Sequence, residues 1–341
     1  MIIDFLLSHQ MLPDSTIRAA IRKRLKNTLK KQEQANTRLQ GQYTEKLIEE
    51  LKASPLAVST DKANEQHYEV PAEFYKIVLG PQLKYSSGYW GNSGATLSSS
   101  ETEMLDLTIE RADIAGGANI LDLGCGWGSF SLYAAQKFPD KNFTAVSNSN
   151  SQREYITRQA RLVNIRNLKA ITADINNFDP DDKYDRIVTI EMLEHIRNYA
   201  HVFKKLHSWM PSGGKLFIHI FNHKKYAYKF EVKSKSDWMA RHFFTGGMMP
   251  SDELLLNFAE GFKLAGHWNI GGLHYSKTLE AWLKNMDGNK GNIMEIFEKA
   301  YRSEAKKFWA YWRVFFMACS ETFAMGDGNE WQVSHYSFEK V

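Results

Sequence analysis

Two groups of residues have the types and spacing to do chemistry. The first is Glu191-Met192-Leu193-Glu194-His195, which follows directly on the apolar run Tyr184 to Ile190. Two carboxylates and an imidazole within five residues can hold a cationic group and accept or relay a proton. If the segment turns helical, offsets of three and four put Glu191, Glu194 and His195 on one face. The second is Ile120-Leu121-Asp122-Leu123-Gly124-Cys125-Gly126-Trp127-Gly128-Ser129, an apolar run that meets a carboxylate and breaks into closely spaced glycines. Glycine permits a tight turn and close approach of backbone N–H groups to a ligand, and the helix expected over Ser129 to Phe138 adds positive partial charge. The turn reads as a nucleotide-type cradle. A dinucleotide fingerprint needs Gly-x-Gly-x-x-Gly, and its third glycine falls at Ser129. The carboxylate of Asp122 opposes a pyrophosphate and suits a ligand that carries cationic groups.

The elements that position these groups alternate. Strands are expected at Asn119 to Leu123, Asn142 to Val146, Leu168 to Thr172, Tyr184 to Ile190, Lys215 to Phe221 and Phe262 to Ile270. Helices are expected between them, at about Ser151 to Leu162, Tyr199 to Trp209 and Ser251 to Ala259. Such βα units predict an α/β fold, a doubly wound and mostly parallel sheet with ligands at the carboxyl ends of its strands. A last strand, Trp331 to Phe338, enters late and is expected antiparallel at an edge. The Asp-x-Gly-x-Gly-x-Gly pattern resembles motif I of the class I S-adenosylmethionine methyltransferases, whose sulfonium and ammonium groups fit an acidic turn. On that resemblance Asp122, Gly124 and Gly126 hold the cofactor. Asn148 and Gln152, with Ser149 between them, can meet a ribose diol after the second strand. Asp174 can accept from an adenine amino group while Ile175 packs on the ring.

Attachments surround this core. Pro13-Asp14-Ser15 starts a helix with Ile17, Ile21, Leu25 and Leu29 on one side, and a second helix spans about Thr44 to Lys52; residues 1–60 are expected as a helical arm before a methyltransferase domain over 61–341. Residues 64–98 are dense in aromatics broken by Pro and Gly, which fits either a lid over a pocket or a satellite hydrophobic cluster, and the lid is the expectation carried forward. A helical cap is expected from residues 222–250 and 275–325. Tyr68, Phe230, Trp238, Phe243 and Trp312 from lid and cap would surround a flat or cationic substrate. The helix from about Ser99 to Arg111 carries Glu101, Glu103 and Asp106 near its start, where the helix dipole favours them.

The chain has 341 residues and a formal charge of +4. Seven Lys or Arg and no Asp or Glu lie between Arg18 and Lys31, so the remainder sums to −3 and nucleic-acid binding has no support outside that arm. The basic stripe suits docking on the chain more than contact with an anionic membrane, and a stripe that needs burial could also pair two copies in a homodimer. Cys125 and Cys319 make no disulfide framework and have no metal-ligand spacing. No stretch of 18 apolar residues appears and Met1 to Leu7 lacks a basic leader, so a cytoplasmic enzyme without metal is expected.

Several motifs together are similar to the cyclopropane-fatty-acid synthase superfamily: His67-Tyr68-x-x-Pro71, Tyr85-Ser86, the Asp122 turn, Ser149-x-x-Gln152 and Glu194-His195. Asn148-Ser149, Ile190 to Tyr199, Trp209-Met210, His223-Lys224-x-x-Ala227, Asp237-Trp238, Asp327 to Trp331 and Phe338-Glu339-Lys340 resemble its coclaurine N-methyltransferase branch. The resemblance implies S-adenosylmethionine-dependent methylation of a small aromatic or cyclic amine, benzylisoquinoline-like, with Glu191, Glu194 and His195 around that amine. It also implies Tyr85, Ser86 and Ile190 at the cofactor. The alternative is a lipid-modifying enzyme of the cyclopropane-fatty-acyl-phospholipid synthase kind, and a third reading is a non-catalytic binding partner. Glu191, where lipid-modifying members have a small residue, favours the amine. Ser87 replaces the Cys that follows Tyr-Ser in the lipid enzymes. Their pocket histidine aligns near Ile220, and His219 would face the other way; Tyr275 is retained as a pocket residue.

Overall fold

The computed structural model describes residues 12–39, 42–58, 70–232 and 237–341. Tyr68 and the start of the expected lid lie outside them. In chain order the helices of seven or more residues are α1 (Asp14–Arg38), α2 (Tyr43–Ala53), α3 (Ala72–Val78), α4 (Leu97–Arg111), α5 (Ser129–Lys137), α6 (Asn150–Leu162), α7 (Tyr199–Ser208), α8 (Gly272–Gly288), α9 (Lys290–Tyr301) and α10 (Ala305–Gly328), and a short helix spans Trp238–His242. The strands of the main sheet are β1 (Asn119–Leu123), β2 (Asn142–Ser147), β3 (Leu168–Thr172), β4 (Arg186–Ile190), β5 (Lys215–His223), β6 (Phe262–Ile270) and β7 (Trp331–Lys340).

Five parallel strands form because each β-to-β connection is long enough to cross over a face. The spatial order is β3-β2-β1-β4-β5-β7-β6, so the order reverses on leaving β1, and the glycine turn lies at the carboxyl end of that strand. β7 is antiparallel to β5, with Lys215 opposite Glu339 and His219 opposite His335. It is not at the edge. Every residue from Trp331 to Phe338 is buried, whereas β6 exposes Lys263, Leu264 and Ala265, and so the edge goes to β6. The helix expected over Ser251 to Ala259 is only a 3-10 segment at Leu254–Phe258. Ser251 and Asp252 are drawn elsewhere: Ser251 bridges to His223, and Asp252 accepts hydrogen bonds from Ser334, Asn269 and His267.

A large cluster joins the segments expected as lid and cap, with Phe74, Tyr75, Trp282, Phe297, Trp309 and Phe316 deeply buried. Helix α1 docks on it through Ile17, Ile21, Leu25 and Leu29, which stay half-buried. Arg18 reaches Glu280 at 2.7 Å and Glu321 at 3.2 Å, Arg22 reaches Glu321 at 2.9 Å, and Arg313 reaches back to Asp14 at 2.8 Å. Phe243 and Trp312, expected around a substrate, belong to the cluster instead. Phe243 stacks on Phe315 with centroids 4.3 Å apart, and Trp312 packs on Phe74 at 4.9 Å.

Glu101 also departs from expectation. Its carboxylate turns inward from α4 and accepts the backbone N–H groups of Gly80, Gln82 and Lys84 at 3.1, 2.9 and 3.3 Å. It thus fixes the segment leading to Tyr85, and burial pushes it up to about 7.

Candidate functional site

A cavity of about 1640 Å³ opens at the carboxyl end of β1 and β4, beneath the arm. It exceeds the roughly 300–1,000 Å³ typical of one small ligand, room for a cofactor and a substrate together. One wall is the glycine turn. Gly124, Gly126 and Gly128 all have positive φ, of 79°, 52° and 78°, a region that favours glycine. A Cβ added at Gly126 would meet nothing within 4 Å, and Gly126 lines the cavity, so its backbone is open to a ligand. Asp122 lies beneath this turn, almost fully buried, with Ser131 Oγ–H donating to it at 2.6 Å. Burial pushes its carboxyl up to about 7. Among the described residues, the buried Ser129 hydroxyl and Trp127 indole N–H have no hydrogen-bond partner, and both residues line the cavity. Unpartnered polar atoms beside an open backbone fit a polar ligand such as an adenosyl cofactor. Cys125 in the turn is a free thiol raised well above its usual range by burial, hence unreactive.

Of the expected cofactor residues, Tyr85, Ser86, Asp122, Gly124, Gly126 and Ile190 line the cavity. Asn148, Ser149, Gln152, Asp174 and Ile175 stand at the neighbouring ends of β2 and β3, outside its wall. Their local roles explain the placement. Ser149 caps α6, Gln152 is buried and accepts Ser147 O–H at 2.6 Å, and Asp174 accepts the backbone N–H of Asn176 at 2.7 Å.

The acidic cluster does not form one helical face. Only Leu193–His195 makes a 3-10 turn, and Glu191 precedes it with φ of +48°, an uncommon conformation for a residue with a side chain. The three side chains therefore diverge. Glu191 and His195 line the cavity, and Glu194 lies behind its wall with no exposed surface. Glu191 accepts Ser87 N–H at 3.0 Å and Tyr275 O–H at 2.5 Å, and its Oε1 lies 3.2 Å from His219 Nε2. Burial pushes its carboxyl up to about 7, opposed by the charge of Lys84 and by the Tyr275 and Ser87 bonds. Glu194 accepts Phe221 N–H at 2.8 Å; burial, then the nearby Glu191 charge, raises it well above the usual carboxylate range. The His195 ring stacks on Phe244 with centroids 5.3 Å apart.

His219 was expected to face away from this pocket, yet it reaches Glu191 directly. The register argument placed a distant family's histidine on this backbone, and here the left-handed turn at Glu191 brings the carboxylate to the His219 side. Lys84 was missed altogether. It is buried, donates to Ser86 Oγ and to Ser87 O at 2.8 Å, and is lowered to about 8 by burial. A lone lysine beside Tyr85-Ser86 in an aromatic stretch was the available signal.

The remaining wall is aromatic and includes Phe221, Phe230, Trp238, Phe244, Tyr275 and Trp282. Helix α1 closes the opposite side with Ile17, Ile21 and Leu25, and places Lys23, Arg24 and Lys31 at the rim. Among the described residues, no group of three His, Cys, Asp or Glu side chains is placed to hold a metal ion.

Comparison with known proteins agrees with this geometry. The family model of mycolic acid cyclopropane synthetase matches residues 57–333. The chain is 37% identical to the (S)-coclaurine N-methyltransferase of Thalictrum flavum subsp. glaucum, covering 97% of this chain and 93% of that protein. It is 36% identical to the pavine N-methyltransferase of the same plant, covering 98% and 95%. The crystal structure of a coclaurine N-methyltransferase bound to N-methylheliamine and SAH superposes with a TM-score of 0.95 at 35% identity, covering 99% of each chain. With a match over most of its length and relatives this similar from end to end, the chain belongs to the mycolic acid cyclopropane synthetase family, on its coclaurine N-methyltransferase side.

Proposed function

We propose that the chain is an S-adenosylmethionine-dependent N-methyltransferase whose substrate is a small cyclic amine of the benzylisoquinoline class. The observation that carries the reading is Glu191, an acidic side chain held on the wall of an aromatic cavity that also contains the glycine turn. When bound, S-adenosylmethionine supplies an electrophilic methyl on a sulfonium. Asp122, Gly124, Gly126 and Ser129 would hold it at the turn, with Tyr85, Ser86 and Ile190 alongside; Asn148, Ser149, Gln152, Asp174 and Ile175 would take part only as the ends of β2 and β3 meet the adenosine.

An alkylammonium has no lone pair, so the amine must lose a proton before it can attack. Glu191, raised to about 7, is matched to pair with the ammonium and accept that proton near neutral pH. His195 lines the same cavity and can share the proton. Glu194 acts from behind, holding Phe221 N–H and with it the start of the aromatic wall. Phe230, Trp238 and Tyr275 then flank the ring system and exclude water, so that nitrogen and methyl meet at near-attack distance. Unpaired Cys125 and Cys319 and the lack, among the described residues, of a helix able to cross a membrane support a cytoplasmic setting.

The test is incubation with methyl-labelled S-adenosylmethionine and either a panel of tetrahydroisoquinolines or vesicles of anionic unsaturated phospholipid. Label in the amine fraction supports the reading. Label in lipid, or none in any amine, overturns it.

A further inference from the structure

Behind Glu191 a row of hydrogen bonds runs away from the cavity through the sheet. His219 and His335 face each other across β5 and β7, which pair them in register. His219 Nε2 lies 3.2 Å from Glu191 Oε1, His335 Nε2 lies 2.9 Å from His219 Nδ1, and Arg111 Nη1 lies 2.8 Å from His335 Nδ1. Both imidazoles are almost fully buried. The edge of Phe217 packs on His335 at 4.9 Å, and Arg111, half-buried at the end of α4, covers the Trp268 ring at 4.8 Å.

The direction of this row follows from chemistry alone. A guanidinium donates and never accepts. Arg111 therefore donates to His335 Nδ1, which must be the bare nitrogen of that ring. A neutral imidazole carries one N–H, so His335 donates from Nε2 to His219 Nδ1, and His219 donates from Nε2 to Glu191. Burial and the nearby Arg111 and Lys84 charges keep both rings neutral. Every link points toward the carboxylate, and no proton can leave by this route because Arg111 cannot take one.

We propose that Arg111, His335 and His219 form a one-way donor string that holds the Glu191 carboxylate as an acceptor, making the two histidines and the arginine positioning residues for the methyl transfer. The proposal deepens the reading of Glu191 given above and rests on it. Among the described residues, the other groups facing Glu191 are Lys84 from the expected lid, Tyr275 from α8, Cys319 from α10 and Glu194 from its own turn. Of these only Tyr275 donates to it through a side chain; Ser87 does so through its backbone. His219 is the one donor at this carboxylate whose tautomer is dictated from outside the cavity, and a second histidine in an interior strand has no packing advantage over an apolar residue.

The first test reads the tautomers directly, by nitrogen NMR of the full chain labelled at histidine. Both His219 and His335 are expected with the proton on Nε2 and a bare Nδ1; a proton on Nδ1 of either ring overturns the string. The second is Arg111→Met, which frees His335 to reverse and leaves His219 able to present a bare nitrogen to Glu191. Losing a donor to the carboxylate raises its pKa, so the acid limb of kcat/KM for the amine is expected to move up by about one pH unit, with SAH affinity unchanged. A limb at the wild-type position, or a lowered Tm with no change in the limb, shows Arg111 to be structural only and refutes the proposal. If no amine is methylated at all, the functional reading fails while the tautomer measurement still decides the string.

Discussion

Replacing Glu191 by glutamine separates stability from activity at one atom. The amide has the shape of the carboxyl and can keep its neighbours: one oxygen still accepts Ser87 N–H and His219, and the new NH₂ can donate to Tyr275, whose hydroxyl reverses from donor to acceptor. What is removed is a buried charge. The Glu191 carboxyl lies at about 7 against an ordinary 4.5, because desolvation outweighs the help of Lys84 and the hydrogen bonds. The native state therefore binds more protons than the unfolded state between about 4.5 and 7, and folding stability falls as pH rises through that window. At about 1.4 kcal/mol per pH unit the accumulated cost by pH 8 is on the order of 3 kcal/mol. Glu191→Gln is expected to match the wild type near pH 4.5 and to be more stable at pH 8, by a few degrees in Tm for a chain of this size. Its kcat should fall by roughly 10²-fold or more, since the group that takes the proton is gone. Paired melts at the two pH values and a turnover assay test both halves. A stability difference that does not vary with pH, or a variant that turns over normally, refutes the placement of an ionisable Glu191 in the mechanism.

Three further outcomes follow from the turn and the arm. Gly126→Ala should fold with a loss of only about 1–2 kcal/mol for its left-handed backbone, because its Cβ meets open space, yet bind SAH more weakly because that space is the cradle; calorimetry with wild-type SAH affinity contradicts this. Gly124→Ala should cost more stability, since its Cβ falls 2.6 Å from Met192 Cγ, and a Tm as high as that of Gly126→Ala sinks the comparison. Ile21→Glu puts a charge into the stripe by which α1 docks and lines the cavity, and should raise KM for the amine by roughly tenfold, about 1.4 kcal/mol, with SAH affinity kept; equal KM values would show that α1 is not a working wall.

The sheet and the glycine turn were legible because their signals are local. An apolar run bounded by glycine or polar residues reads as a strand whatever surrounds it, and the positions of β1 to β6 follow. The place of β7 was not legible, because its late entry points to an edge, and the polar residues Gln332, Ser334, His335 and Ser337, spread over both faces of the strand, carry no mark of an interior position. They are buried, and partners far along the chain meet Ser334 and His335: Asn222 donates to Ser334 Oγ at 2.6 Å, Ser334 donates to Asp252 at 2.6 Å, and Arg111 donates to His335 at 2.8 Å. The site was half visible in the same way. Residue types at Glu191 and His195 announced acid–base chemistry, but the left-handed backbone of Glu191 has no residue signature, and it decides that Glu194 points away from the cavity. Lys84, Glu101, Arg111 and His335 act through contacts across the fold, which no spacing rule records.

The interior position of β7 bears on how the protein is made. Residues 331–340 are the latest of the seven strands in order of synthesis, yet they lie between β5 and β6. Until they leave the ribosome, a growing chain holds β5 with one side open, β6 with no neighbour in the sheet, and His219 with no ring beside it. Open strand sides are the surfaces on which nascent chains stick to one another. The donor string behind the reactive carboxylate is thus closed only when this strand arrives, so assembly of the sheet and completion of the site are a single late event.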